Sequence, residues 1–273
     1  AQSTESLVQR YEINVGYMQV FVGKKIDGAV RDVIVGVAKK TGQKVCLKSF
    51  SRGKVQLELA VLSKLVPGHP NLISCFGTTS IHGSQCLCYE FFDTNLRTFV
   101  ANSPVTYPVT KRLAIMKQAI AGINFMHSHQ VVHRDIKSAN LFFSGDPRGD
   151  VFCAKWADLG LACGFESVEC GYEVGTYRWM APEIIRHHQY DEKCDIYSLG
   201  LVLWELFEWA LPFAGIEALN VAWAVAKDKS RPNFNPALWT PTVQALVNRS
   251  WSDNPELRPN ASELCELIGS MIS

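Results

Sequence analysis

The side chains best suited to chemistry sit in one stretch, His133-Arg134-Asp135-Ile136-Lys137-Ser138-Ala139-Asn140. Asp158-Leu159-Gly160 and Ala181-Pro182-Glu183 follow in that order within about fifty residues. Carboxylates, a carboxamide and a lysine are the types that phosphoryl transfer requires. That reaction needs little covalent help. It needs phosphates held still, negative charge neutralised, and the attacking hydroxyl aimed in line. Any one Asp or Lys would more often be a solvated surface group, so the specificity lies in the joint order.

Those three strings resemble the signature of the eukaryotic protein kinase catalytic domain, and the resemblance runs from about Tyr11 to Ile272. It implies that Asp135 is the base accepting the substrate hydroxyl proton, that Asn140 and Asp158 bind Mg²⁺, and that Lys137 approaches the transferred phosphate. Lys48, in Val45-Cys46-Leu47-Lys48, matches the strand lysine that holds the ATP phosphates, and Glu58 matches its ion-pair partner on a following helix. Ile26, Gly28, Val33, Cys46, Glu90, Phe92 and Phe142 fall where the family lines the nucleotide, with Tyr89 as the bulky residue behind the adenine. Asp195 resembles the buried aspartate bracing the catalytic loop, and Arg258 the arginine pairing with Glu183.

Between Asp158 and Glu183 lies the segment that many kinases regulate by phosphorylation. Arg134 resembles the arginine that senses such a phosphate. Ser167 is the first choice of phosphosite and Tyr172 the second, whereas Thr176 is expected to contact Asp135 and Lys137. Lys137 is the serine/threonine form of its motif. Gly175-Thr176-Tyr177-Arg178-Trp179 and Ser250-Trp251-Ser252-Asp253-Asn254-Pro255 resemble the tyrosine-kinase-like group, which leaves dual specificity open.

The departure from the family lies in the phosphate-covering loop. A pattern of three glycines is reduced here to Gly28 within Ile26-Asp27-Gly28-Ala29-Val30-Arg31. Glycines let backbone approach phosphate closely, so their loss motivates an alternative: a pseudokinase scaffold or switch with weak or no catalysis. A small-molecule kinase is a third reading, opposed by the complete segment through Ala181-Pro182-Glu183.

The elements that must position these residues are legible by periodicity. Tyr17–Ile26, Val30–Val37 and Gln43–Phe50 read as strands. Val55, Leu59, Leu62 and Val66 form a helical stripe that Pro67-Gly68 ends. Leu72–Gly77 and Gln85–Phe92 read as further strands. After about Asp93 the pattern becomes helical, with a stripe of Leu113, Met116, Ile120 and Ile123 and a buried helix over Ile196–Trp204. The expected fold class is α+β: a small antiparallel sheet lobe with one helix (about 11–92), a larger helical lobe (about 93–273), and a nucleotide cleft between them, forming one kinase domain over 1–273.

The chain has 273 residues, 47% of them hydrophobic and 19% charged, with a formal charge of +1. That balance gives no electrostatic case for nucleic acid, and no apolar run reaches a membrane span. Protein substrates and an upstream kinase are the expected partners. The start at Ala1 suggests a piece of a longer, cytoplasmic parent with other domains. Nine cysteines lack metal-type spacing and read as reduced buried thiols. Cys86 and Cys88 should share one strand face, while Cys163 and Cys170 are expected in a mobile, potentially redox-sensitive loop.

Overall fold

A computed structural model describes residues 12–15, 18–25, 33–50, 54–103, 106–167 and 175–272. The chain divides into two compact units, one comprising 1–63 with 73–92 and the other 64–72 with 93–273.

Among the described residues, the first unit is a six-stranded sheet with one helix. Its strands are β1 (Glu12–Val15), β2 (Met18–Lys25), β3 (Val33–Ala38), β4 (Lys44–Phe50), β5 (Cys75–Ile81) and β6 (Ser84–Glu90), and its helix is α1 (Lys54–Lys64). The sheet order is β1-β2-β3-β4-β6-β5, with antiparallel neighbours throughout. Successive side chains on a strand face opposite ways, and this alternation sorts the sheet into two cores. Val45, Leu47, Cys86 and Cys88 join Val15, Val20 and Ile81 on one face. Leu87 and Tyr89 join Val55 of α1 on the other, with Cys46, Phe50, Leu59 and Leu62 packed around them. Lys48 follows the parity of Cys46 and so stands on the α1 side. Cys86 and Cys88 do share a face, and both are fully buried. Burial pushes the Cys88 thiol up to about 12.

Helix α1 stops at Lys64, short of Val66, because Leu65–Pro67 forms a turn. The expected strand over Leu72–Gly77 begins only at Cys75 and continues to Ile81. Residues 72 to 74 instead pair outside the named strands: the Glu90 amide donates to the Ser74 carbonyl at 3.1 Å, and Leu72 bridges to Trp156.

The second unit is helical. It contains β7 (Thr94–Asn95), α2 (Leu96–Asn102), α3 (Val109–Ser128), β8 (Val131–Val132), β9 (Leu141–Ser144), β10 (Cys153–Trp156) and β11 (Cys163–Gly164), followed by α4 (Pro182–Ile185), α5 (Lys193–Glu208), α6 (Ala218–Asp228), α7 (Pro241–Ser250) and α8 (Ala261–Ile272). Asn95 caps α2 by accepting the Thr98 amide at 2.9 Å, and Thr240 caps α7.

Two long helices carry the core. On α3, Ile115, Met116, Ile120 and Ile123 are fully buried, and each such side chain contributes roughly 1.5–3 kcal/mol. Trp156 of β10 packs beside them and donates its indole N–H to the Ala119 carbonyl at 2.8 Å. Gly122 makes this approach possible, since a Cβ there would lie 2.8 Å from the Trp156 ring and 2.7 Å from the Asn71 carbonyl. Helix α5 is buried from Cys194 to Phe207, including Asp195, Ser198 and Glu205.

Candidate active site

In the second unit the site grows from α5. The Asp195 side chain is 1% exposed. Its Oδ2 accepts the His133 amide at 2.7 Å and its Oδ1 the Arg134 amide at 2.9 Å. His127, at the end of α3, approaches Oδ2 through Nε2 at 3.0 Å. Burial alone would raise this carboxyl, but His127 and the His133 amide outweigh it and hold the carboxyl below its ordinary value. Two successive amides aimed at one carboxylate go with a left-handed Arg134, at φ 64°. Such a conformation persists in a non-glycine residue only where the surroundings over-determine it.

The bend brings Asp135 up as a nearly buried carboxylate with several partners. Oδ2 accepts Lys137 Nζ at 2.6 Å and Asn140 Nδ2 at 3.1 Å, and Oδ1 accepts the Thr176 hydroxyl at 2.8 Å. Lys137 also donates to Thr176 Oγ1 at 2.8 Å. Gly175 permits this closure of the 175–176 backbone on the loop, with φ +106° and a would-be Cβ only 2.6 Å from the Arg134 carbonyl. His133 braces the loop from within: its Nδ1 accepts the Asp135 amide at 3.3 Å and its Nε2 reaches the Ala157 carbonyl at 3.1 Å.

Asp158 follows directly, half-buried and left-handed at φ 58°. The Ala157 amide donates to the Asn140 carbonyl at 3.0 Å, which ties the two chain segments together. The Asn140 amide nitrogen is turned to the Asp135 carbonyl and carboxylate, so its Oδ1 is its remaining side-chain donor to a cation. A carboxamide oxygen and a carboxylate on tied segments are the hard donors that suit Mg²⁺. Leu159 is buried, as an apolar residue after Asp158 should be.

In the first unit Lys48 donates to both oxygens of Glu58, at 2.9 and 2.8 Å, with both residues at most 7% exposed. Val33 of β3 pairs with Lys48, and Cys46 pairs with Tyr89. Burial pushes the Cys46 thiol up to about 11, against the pull of Lys48. Glu90 ends β6 and accepts the Ser74 amide through Oε1 at 2.6 Å. Phe92 and, in the second unit, Phe142 on β9 are half-buried. Ile26, Gly28 and Tyr172 lie outside the described residues.

Elsewhere in the second unit, Arg258 forms a two-pronged pair with Glu183 at 2.6 and 2.8 Å. Arg258 also donates to the carbonyls of Ser252 and Lys193. Arg134 directs Nε to the Leu161 carbonyl at 2.6 Å and one terminal nitrogen to the Tyr190 hydroxyl at 3.3 Å. Ser167 is exposed at the end of a 3₁₀ turn. Cys163 corrects an expectation: it lies in β11, paired with Val132 and buried, and burial raises its thiol, so it is not a reactive loop cysteine. Cys170 lies outside the described residues.

The family model described as Protein kinase domain matches residues 22–267. The chain belongs to the protein kinase family. Among similar kinases, it is 33% identical over 95% of its length to the serine/threonine/tyrosine-protein kinase HT1 of Arabidopsis thaliana, covering 68% of that protein. It is 32% identical over 83% of its length to the Arabidopsis serine/threonine-protein kinase STY17, covering 38% of it. With the dual specificity protein kinase shkA of Dictyostelium discoideum the identity is 31%, over 88% of this chain and 45% of that one. The chain thus spans two thirds of the first and less than half of the other two. Among the described residues no helix is long and apolar enough to cross a membrane.

Three features of this kinase escaped the sequence reading. His127 was legible in principle, since it continues the Ile120 and Ile123 stripe of α3 at helical spacing. Glu205 interrupts the apolar run between Trp204 and Leu206, and its Oε1 accepts the Ser138 hydroxyl at 2.7 Å. Burial raises its carboxyl to about 7, against the Ser138 bond and Arg97. The third is the Tyr89 hydroxyl, which donates to Glu58 Oε1 at 2.6 Å.

Proposed function

We propose that this chain transfers the γ-phosphoryl group of ATP to serine and threonine hydroxyls of protein substrates, in a Mg²⁺-dependent reaction. The observation that carries the reading is the hydrogen bond from the Thr176 hydroxyl to Asp135. A carboxylate that accepts an aliphatic hydroxyl at 2.8 Å, with a lysine on its other oxygen, suits receiving and orienting a substrate serine or threonine. The names of the similar kinases favour the same substrate class, and shkA keeps tyrosine open as a second acceptor.

Asp135 would accept the hydroxyl proton and hold the oxygen in line. Lys137 would offset charge on the moving group, and Lys48, fixed by Glu58, would steady the nucleotide phosphates. Asn140 and Asp158 would hold Mg²⁺. Bound Mg²⁺-ATP supplies the phosphoryl group and part of the charge neutralisation. Val33, Cys46, Glu90, Phe92 and Phe142, with Ile26 and Gly28, complete the proposed nucleotide contacts. The scaffold alternative rested on the loop around Gly28, and no finding favours it.

Regulation by phosphorylation belongs to the same reading. Among the described residues the Arg134 guanidinium donates to two neutral oxygens. A phosphate on exposed Ser167, or on Tyr172, added by an upstream kinase would be a stronger, charge-assisted partner. The free thiols suit a reducing compartment such as the cytoplasm, within a longer parent chain.

The test is radiolabel transfer from ATP to a generic protein substrate, run beside Asp135→Asn and followed by phosphoamino-acid analysis. Turnover should fall by roughly 10³-fold or more in the variant, because positioning and charge are the catalysis. Equal counts from both proteins would overturn the assignment.

A further inference from the structure

We infer that Tyr89 is a positioning residue that sets the Glu58 carboxylate, and through it Lys48. The inference rests on the proposed role of Lys48 in holding ATP. Tyr89 stands on β6 opposite Cys46 of β4 and Cys75 of β5, on the sheet face that α1 covers. Its ring is buried against Val55 and Leu87, which aims the hydroxyl at α1. There it donates to Glu58 Oε1 at 2.6 Å, the length of a charge-assisted O–H···O⁻ bond.

Oε1 also accepts Lys48 at 2.9 Å, and Oε2 accepts the same ammonium at 2.8 Å. A carboxylate swinging about its last torsion could keep one lysine contact while losing the other. The tyrosine removes that freedom by fixing Oε1 from a second strand. Tyr89, Glu58 and Lys48 are 3%, 3% and 7% exposed, so water does not compete for these bonds. Helix α1 is therefore tied to the sheet twice, by Lys48 of β4 and by Tyr89 of β6. A residue filling this position with bulk alone would supply the packing and not the second tie.

The test is a double-mutant cycle of Tyr89→Phe and Glu58→Ala, read in two ways on the same chain. The first reading is steady-state kinetics with varied Mg²⁺-ATP. Tyr89→Phe keeps the ring, so melting should stay close to wild type while KM for ATP rises about tenfold, the scale of one hydrogen bond to a charged group. In the Glu58→Ala background the same change should have almost no further effect, because the oxygen that the hydroxyl meets is gone. The second reading is amide hydrogen exchange of Lys54–Lys64, which needs no turnover. Protection should fall in Tyr89→Phe and fall no further in the double variant.

Equal effects of Tyr89→Phe in both backgrounds, or no effect in either reading, would overturn the inference. If the wild-type chain shows no ATP turnover, the phosphotransfer reading fails, and the exchange cycle still decides the role of Tyr89.

Discussion

Glu205→Gln should make the stability of this chain less dependent on pH, and the sign follows from where the carboxyl sits. Glu205 is fully buried on α5. Its Oε1 takes the Ser138 hydroxyl and, at 3.5 Å, Arg97. Burial dominates and raises the group from 4.5 to about 7. The folded chain therefore holds a proton that the unfolded chain has released between those values. Stability from this group is fully present below about pH 4.5 and is lost as pH rises through 7. A shift of that size corresponds to about 3 kcal/mol, an upper bound since buried sites relax. Glutamine keeps the shape and the Ser138 acceptor but cannot titrate. Its new N–H₂ in place of Oε2 adds an offset independent of pH, so the slope is the informative quantity. Urea unfolding at intervals from pH 5 to pH 8 should show wild type losing about 2–3 kcal/mol more than the variant across that window. Parallel curves would refute the argument.

Two further substitutions probe the frame around the site. Glu183→Gln should destabilise by about 3–5 kcal/mol in urea unfolding, because it leaves the 2%-exposed Arg258 guanidinium buried without its counter-charge. A loss below about 1 kcal/mol would mean that the carbonyls of Ser252 and Lys193 suffice. Gly175→Ala should cut phosphotransfer by about tenfold or more while stability falls by only about 1–2 kcal/mol, the strain of one L residue at positive φ. The added Cβ would meet the Arg134 carbonyl and push the Thr176 hydroxyl away from Asp135. Steady-state assay and melting together check this, and unchanged turnover would remove the proposed importance of that closure.

How much could be read from residues alone depended on whether a pattern was local. The α3 stripe through Met116, Ile120 and Ile123 has helical period, and the structure buries all three. Cys86 and Cys88 follow from alternation along β6 in the same way. The strand starting at Cys75, not Leu72, was not legible, because the Ser74 amide is taken by the Glu90 side chain through a tertiary bond. The two-residue strands β7, β8 and β11 have no period to detect and exist only through their partners. The ordered motifs from His133 to Glu183 identified the candidate site, since their sequence spacing is itself the signal. The Tyr89 hydroxyl escaped because its partner depends on how β6 registers beneath α1. Glu205 escaped for a plainer reason: the apolar run was read only as far as Trp204, one residue short of it.

Within the His133–Asn140 loop, Asp195 grips main chain alone, through the amides of residues 133 and 134. A hold of that kind is blind to what the loop displays. The side chains at 135 and 137 can then be exchanged without unseating the polypeptide beneath them, whereas Asn140 also donates to the Asp135 carbonyl and is itself part of the hold.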